Sequence, residues 1–307
     1  MRSVFMGSPD FALPVLESLN GQTQIVGVVT QPDRPAGRGR EVSPPPVKIL
    51  ALTLGLPVIQ PEKLRAPEAM EQLRAWGPQI IVVAAFGQIL RPDVLALPKY
   101  GCVNLHASLL PRHRGASPIA AAILAGDSET GITMMKMDPG MDTGPILGER
   151  RMAIDPHDTG ESLGRKLSFL AAETLTQLLP VYLQGEIVPQ AQDDSFATHA
   201  PQLRKEDGHL DFQSPAALLE RKVRAFHPWP GTYVLWNGHP LRVLEAMVET
   251  ASAAGEPGLT LERSRFPGVQ TAEGVLVFRR VQLAGKKPMA GDEFLRGARD
   301  FPGQVLR

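Results

Sequence analysis

The sequence predicts an α/β protein in two parts: a doubly wound, mostly parallel sheet over residues 1–189 and a small OB-like β-barrel over 208–307. Three observations carry this expectation. Short apolar runs alternate with helical stretches through the first half, as parallel α/β architecture requires. Between Gln190 and Asp207 the chain turns polar and loses its periodicity, so a linker is expected over 190–207. Beyond it, about five short strands fall within about 100 residues, a density that suits a small barrel such as an OB-fold.

In the first part, strands are expected over 3–6, 25–30, 80–85 and 101–106, with helices over 11–19, 46–54 and 67–76 between them. Two further strands, 131–137 and 145–150, precede a helix over about 161–179. The turn Gly7-Ser8-Pro9-Asp10 lacks the G-x-G-x-x-G spacing, and no G-x-x-x-x-G-K-[ST] occurs, so dinucleotide and nucleoside triphosphate binding are not expected. In the second part, Ser214 and Pro215 read as an N-cap and N1 pair opening a helix that runs to Phe226. Strands over 231–236 and 239–248 flank Asn237-Gly238, a strong hairpin signal, and strands over 258–262, 268–271 and 275–283 follow.

Composition narrows the class. A chain of 307 residues can bury a sizeable core without a metal or disulfide staple, and 43% hydrophobic with 21% charged residues is ordinary for a globular protein. No apolar run approaches the ~18 residues of a spanning helix, and Pro9 and Asp10 interrupt the N-terminal stretch before a signal-peptide core, so a cytoplasmic protein is expected. The single cysteine, Cys102, excludes an intramolecular disulfide and a thiolate-clustered zinc site. The 32 basic and 32 acidic residues cancel, which removes any blanket attraction to nucleic acid. Nucleic-acid binding, where present, has to be local, and the excess of 13 Lys plus Arg over 10 Asp plus Glu in residues 208–307 is too mild to argue for it alone.

The strand over 101–106 is unusual. Alternation puts Cys102, Asn104 and His106 on one face and Val103 and Leu105 on the other, whereas a central parallel strand normally reads apolar throughout. Polar groups gathering toward its C-terminal end suggest that this end opens into a cleft, where open α/β sheets bind ligands. Taken alone, Asn104 and His106 better suit the capping of a buried turn. A glycine-punctuated loop between two strands, Met137-Asp138-Pro139-Gly140-Met141-Asp142-Thr143-Gly144, adds a carboxylate. Asn104 can donate to a carbonyl oxygen, His106 can carry a proton near neutral pH, and Asp142 can orient the imidazole, which together suit attack on a carbonyl.

The run Asn104-Leu105-His106-Ala107-Ser108-Leu109-Leu110-Pro111-Arg112-His113-Arg114-Gly115 resembles the N-x-H-x-S-L-L-P-x-x-R-G signature of folate-dependent formyltransferases, and the Asp142 loop resembles their second motif. The segments 31–40 (QPDRPAGRGR) and 224–231 (RAFHPWPG) narrow the resemblance to members acting on methionyl initiator tRNA. The likeness covers essentially the whole chain. It implies a formyltransferase domain followed by an OB-fold, passing formyl from 10-formyltetrahydrofolate to the amino group of methionyl initiator tRNA for translation initiation, with no metal and no obligate protein partner. By the same resemblance Asn104, His106 and Asp142 are catalytic: the first two hold the oxyanion, and Asp142 supports the imidazolium and relays the proton. The turn Ser108, Leu109, Leu110 and Pro111 lines the folate site, with Phe86, Gly87 and Leu90 as another wall. Arg34, Arg38, Arg40 and Lys48 in an irregular Gly- and Pro-rich loop, together with Lys286 and Lys287, are expected to contact tRNA, as part of a track to which Arg221, Lys222 and Arg224 also contribute. His113 stands where the family usually has an aromatic residue and is left out of the catalytic set.

Other readings are weaker. An acyl-enzyme through Cys102 needs a nearby base and a thiol that burial does not suppress. Asp142-Thr143-Gly144 recurs as Asp158-Thr159-Gly160, but Pro145 and Glu161 follow where an aspartic protease has Ser or Thr; Asp158 with Glu161 reads instead as a capping box. A formyltetrahydrofolate hydrolase or a sugar-amine formyltransferase would share the catalytic strand, but neither accounts for the basic loop and the C-terminal barrel. Trp229 and Trp236, beside Phe226 and Tyr233, are expected to fill core.

Overall fold

In the computed structural model, which describes residues 1–36, 41–250 and 255–306, the unbroken apolar runs become strands covered on both faces. In chain order the elements begin β1 (Arg2–Gly7), α1 (Leu13–Asn20), β2 (Gln24–Val29), β3 (Arg34–Ala36), β4 (Glu41–Ser43), α2 (Pro46–Thr53), β5 (Val58–Ile59), α3 (Pro67–Trp76), β6 (Ile80–Ala84) and α4 (Pro92–Leu95). Then come β7 (Cys102–His106), β8 (Arg114–Gly115), α5 (Pro118–Ala125), β9 (Glu129–Lys136), β10 (Ile146–Ala153), α6 (Gly160–Leu183) and β11 (His199–Ala200). The seven-stranded sheet has the order β10-β9-β7-β6-β1-β2-β5. The strands from β5 to β7 run parallel, while β9 and β10 close one edge antiparallel. Chain order reverses at β1, with β2 on one side and β6 on the other, which opens a crevice beyond the C-terminal strand ends.

Helix α3 buries Ala69, Met70, Leu73 and Trp76, one face of a 3.6-residue repeat, and these join Val4, Met6, Val29, Ile81 and Val83 in a core cluster. Trp76 lies so close to β2 that a Cβ on Gly27 would stand 2.4 Å from its indole ring. Helix α6 buries Leu163, Leu167, Ala171, Leu175 and Leu179, every fourth residue along one stripe.

Contacts divide the chain into two units, one of Met1–Pro118, Glu129–Ala153 and Gly164–Pro201 and another of Ile119–Ser128, Ile154–Leu163 and Gln202–Arg307. The second unit contains α7 (Ala216–Ala225), β12 (Thr232–Trp236), β13 (His239–Glu249), β14 (Thr260–Arg263), β15 (Phe266–Gln270), β16 (Val275–Leu283), β17 (Met289–Ala290) and α8 (Gly291–Gly297). Its antiparallel sheet runs β12-β13-β16-β15-β14, with β17 added to β16, around Leu219, Val223, Val234, Leu241 and Phe278. Asn237 and Gly238 both take positive φ, 49° and 74°, as a two-residue hairpin turn requires.

Several local expectations are corrected. The segment 31–48 is not wholly irregular: β3 and β4 pair antiparallel, Arg34 opposite Ser43, while Arg38 and Arg40 lie outside the described residues. Ser214 does not cap α7, because the helix opens one residue later with Pro215 at the cap, and the Ser214 N–H donates to Asp211 O at 3.0 Å. The box at the start of α6 is Thr159 with Ser162, whose hydroxyls and N–H groups exchange bonds of 3.0 and 3.1 Å. Since α6 begins at Gly160, Ser162 occupies the third helical position that Glu161 was expected to hold; Asp158 instead accepts Ser162 Oγ at 2.6 Å. Trp236 packs edge-on against Phe294 and Phe301, but Trp229 is 59% exposed and not core. Residues 190–201 lie in the first unit, where β11 pairs with β8 and Gln190 bridges Ile146.

The tight seat of Trp76 gives a test of this packing. Gly27→Ala should cost about 1–3 kcal/mol through overpacking, read as a lower urea midpoint with an unchanged slope.

Candidate active site

Strand β7 ends in the polar face that its alternation demands. His106 is buried, Asn104 is half-buried, and the Met137 N–H donates to Cys102 O at 2.8 Å, so the following loop starts flush against this strand. That loop is shaped by its own residues: Asp138 accepts the Gly140 N–H at 3.0 Å and the Thr143 hydroxyl at 2.8 and 2.9 Å. Gly144 permits the close return, since a Cβ there would stand 1.9 Å from Lys136 O. Asp142 takes a left-handed backbone, φ 54°, which turns its carboxylate inward.

Three groups meet there. Asp142 Oδ2 accepts the Gly115 N–H at 2.9 Å and lies 3.6 Å from His106 Nδ1. Asn104 Nδ2 stands 3.5 Å from Asp142 Oδ1. On the other side of the ring, His106 Nε2 lies 3.0 Å from His113 O. A carbonyl only accepts, so Nε2 carries the hydrogen and Nδ1 faces the carboxylate. The contacts of Nδ1 and of the Asn104 carboxamide with Asp142 are long, so neither is a strong hydrogen bond. His113 thus contributes through its main chain; its own φ is 59°, and its N–H donates to Thr198 Oγ1 at 2.9 Å.

Sequence reasoning missed the residues that surround this trio. Arg114, almost fully buried, forks onto Gln192 Oε1 at 2.8 and 3.0 Å, and Gln192 Nε2 donates to Asp142 O and Gly144 O at 2.8 and 2.7 Å. Gln192 and Thr198 sit in a polar, aperiodic stretch with no local signal, and only the Arg114-Gly115 of the signature run pointed here. Among the described residues, no cluster of three His, Cys, Asp or Glu side chains is arranged to hold a metal ion. No helix among them is long and apolar enough to cross a membrane.

The other expected site residues divide by exposure. Ser108 is fully buried, and its hydroxyl donates to Arg112 O at 2.6 Å, while Thr133 Oγ1 donates to Ser108 O and accepts the Leu110 N–H. Ser108 therefore shapes the turn, and half-buried Leu109 and Pro111 carry its accessible surface while Leu110 is buried. Phe86 and Leu90 fill core, whereas Gly87 and Ile89 are exposed between them. Beside this segment lies a cavity of about 210 Å³ whose lining includes Lys63, Arg65, Gln88, Ile89 and Arg91. Gln88 is fixed there, accepting the Leu64 N–H at 2.8 Å and donating to Pro61 O at 3.0 Å.

Of the cations, Arg34, Lys286 and Lys287 are exposed. Lys48 is engaged, 2.6 Å from Asp33 Oδ2. The hydrogen bond from Gln60 and then the Lys48 ammonium hold the Asp33 carboxyl below the usual carboxylate range. The helical cluster is internal to its own unit: Lys222 donates to His209 O at 2.7 Å, and Arg224 pairs with Glu220 at 2.6 Å. Burial draws the Lys222 ammonium below its ordinary range, with Asp207 and Asp211 opposing.

Cys102 is buried, and burial pushes its thiol up to about 12. The acyl-enzyme reading falls on that observation. A raised acid favours the protonated folded state, so this contribution to stability is lost as pH climbs from the unfolded thiol's value of about 8.5 toward the folded one. Native protein at about pH 8 should resist alkylation until denatured, and Cys102→Ala should flatten the fall in stability between about pH 9 and 11. Rapid labelling of the native thiol contradicts this.

Residues 1–179 match the family model for formyl transferase, and residues 202–299 match that for the formyl transferase C-terminal domain. The chain is 48% identical over 300 residues to the methionyl-tRNA formyltransferase of Chloroflexus aurantiacus, covering 97% of each. It is 48% identical over 304 residues to that of Myxococcus xanthus, covering 98% of this chain and 96% of the relative. Among solved structures, the sugar 3N-formyl transferase WlaRD matches with a TM-score of 0.67 at 16% identity, over 94% of this chain and 99% of that one. The methionyl-tRNA formyltransferase from Clostridium thermocellum matches with a TM-score of 0.58 at 16% identity, over 92% and 98%. Those structures share the fold, while the full-length sequence relatives specify the branch: the chain belongs to the formyltransferase family, among its methionyl-tRNA formyltransferases.

Proposed function

We propose that the protein transfers the formyl group of 10-formyltetrahydrofolate to the amino group of methionyl initiator tRNA, in the cytoplasm, giving the formylated initiator. The observation that carries this reading is identity near one half with methionyl-tRNA formyltransferases along essentially the whole chain. The fold alone does not choose the acceptor, since a sugar formyltransferase shares it.

The arrangement at the end of β7 supports a mechanism. The neutral amine attacks the formyl carbon, and the carbonyl oxygen gains negative charge beside the Asn104 carboxamide and protonated His106 Nδ1. With Nε2 committed to His113 O, the ring is held with Nδ1 toward the reacting centre. Asp142 balances the imidazolium and, directly or through water, takes a proton from the attacking nitrogen and returns it to the departing folate nitrogen as the carbon–nitrogen bond breaks. The sequence moves protons only among these groups and invokes no metal.

The turn of Ser108, Leu109, Leu110 and Pro111 and the segment of Phe86, Gly87 and Leu90 form the folate walls in this reading. Lys63, Arg65 and Arg91 beside that segment offer positive charge to the carboxylates of the donor's glutamyl end. In this reading, 1–189 carries the chemistry, and 208–307 contributes Lys286 and Lys287 to tRNA contact. Arg34, Arg38 and Arg40 supply the early-loop contact. Lys48 shapes the base of that loop through Asp33.

Incubation with the folate donor and charged initiator tRNA should yield formylmethionyl-tRNA, undiminished by chelator. Donor turnover that proceeds equally well without any acceptor replaces this reading with a hydrolase. Asn104→Ala, His106→Ala and Asp142→Asn should each lower kcat on the order of 10²-fold in folded protein, because they act on charge that develops in the transition state. Cys102→Ala should keep most of the activity. A trapped formyl-cysteine contradicts these assignments.

The tRNA contact has its own test. Arg38→Ala with Arg40→Ala should raise KM for tRNA while sparing donor binding, and tRNA affinity should fall with added salt, at about 0.7 per phosphate for single-strand behaviour. A double variant with unchanged kinetics at low tRNA concentration removes the early loop from the contact and leaves the catalytic assignments standing.

A further inference from the structure

Asp142 presents its carboxylate from a left-handed backbone that side-chain-bearing residues rarely hold, φ 54°. Asp enters this region more readily than most residues, and the side-chain bonds to its main chain come from outside the loop. Asp138 and Thr143 bond one another within the loop, but neither reaches the Asp142 main chain. Gln192 does. Its Nε2 donates to Asp142 O at 2.8 Å and to Gly144 O at 2.7 Å, which pins the two carbonyls on either side of Thr143.

The carboxamide is itself fixed. Its Oε1 accepts both Nε and Nη2 of Arg114 at 3.0 and 2.8 Å, and Arg114 Nη2 also reaches Asp194 Oδ1 at 2.8 Å. A guanidinium only donates and a carbonyl only accepts, so the amide has one orientation that satisfies both sides. The neighbouring residue of Arg114, Gly115, gives its N–H to Asp142 Oδ2 at 2.9 Å. Arg114-Gly115 and Gln192 therefore grip the same aspartate, one through its carboxylate and the other through its carbonyl.

We propose that Gln192 is a positioning residue for the transfer reaction, holding the Asp142 main chain so that its carboxylate stays between Asn104 and His106. The inference rests on the reading that Asp142 serves the imidazole. Gln192 bonds neither Asn104 nor His106; it acts on them through the Asp142 main chain and, by way of Arg114, through the backbone of His113 and Gly115, so its loss acts on turnover and not on substrate binding. Gln192→Glu separates the two arms of the amide: it keeps, and strengthens, the acceptor for Arg114, but sets an oxygen against the carbonyls of Asp142 and Gly144. Gln192→Met, of similar length and uncharged, removes both arms.

Steady-state kinetics of formyl transfer, on full-length variants whose folding is checked by circular dichroism melting, tests this. Each variant should lose about tenfold in kcat, with KM for the donor and for tRNA within about twofold of wild type. In an Asp142→Asn background, Gln192→Glu should cost less than about twofold, because residues acting as one unit are not additive. Unchanged kcat in the variants, a loss confined to KM, or the same tenfold loss in the Asp142→Asn background each overturns the proposal. Where one variant does not fold, the other decides; if neither folds, Gln192 holds the fold and not the aspartate. Asp142→Asn at the full rate sinks the catalytic reading, and the role of Gln192 in turnover with it, whereas impaired Asp142→Asn beside fully active Gln192 variants sinks the positioning role alone.

Discussion

A single carboxylate, that of Asp142, is shared among the Gly115 N–H, the His106 ring and the Asn104 carboxamide, and three separate stretches of chain are folded to meet at it. A mostly buried carboxylate is costly unless its oxygens find donors, so the geometry around it has little freedom. Strand β7 fixes two of the partners by alternation. The turn after it brings His113 O to Nε2 and the Gly115 N–H to Oδ2, so both sides of the imidazole are set by one run of ten residues, from His106 to Gly115. The β9–β10 loop then needs only to bring one side chain inward, and its strained backbone is supported by bonds that lie outside it. The sheet places Asn104 and His106, and the loop brings Asp142 to them.

The parts of the fold legible in the sequence are those where one physical signal spans many residues. β6 is apolar throughout, and β1 over Val4, Phe5 and Met6, because both faces are covered, and α3 shows its buried face at Ala69, Met70, Leu73 and Trp76. Asn237-Gly238 specifies its hairpin because few other pairs hold two positive φ values at once. What escaped lacks such a signal. β5 and β17 are two residues long, and α5, PIAAAILA, is apolar nearly all round and so presents no stripe. The boundary errors at Ser214 and Asp158 have a shared cause: a capping motif shifted by one residue changes which side chain reaches which N–H, and composition does not register the shift.

The site divides in the same way. Asn104 and His106 stood out because polar residues interrupt a strand that should be apolar, and Asp142 because glycines frame it. Gln192 and Thr198 were invisible for a different reason, and Arg114 was visible only as part of the signature run. A polar residue in a polar segment violates nothing, and its importance arises only from a partner far along the chain, 78 residues away for Arg114 and Gln192. The stretch 190–201 read as a linker because its side chains do not build a core. They satisfy carbonyls and a buried guanidinium instead, which is an equally strict structural demand with no periodicity to betray it.

Charge was the least informative signal, and the reason is pairing. A cation attracts a phosphate only to the extent that its neighbours leave it unsatisfied, and sequence counts do not know the neighbours. Lys48 is held by Asp33, Arg224 by Glu220, and Lys222 is drawn into its own unit by His209 O and the Phe226 ring, so three residues that looked alike in the sequence are committed inside the protein. Arg34, Lys286 and Lys287 remain exposed. With no net charge to concentrate a polyanion, exposed cations such as these act within about a Debye length, ~8 Å at physiological salt. Recognition by such a surface depends on where each cation stands, and a small number of correctly spaced contacts discriminates among acceptors better than a large basic patch, which binds every phosphate backbone alike.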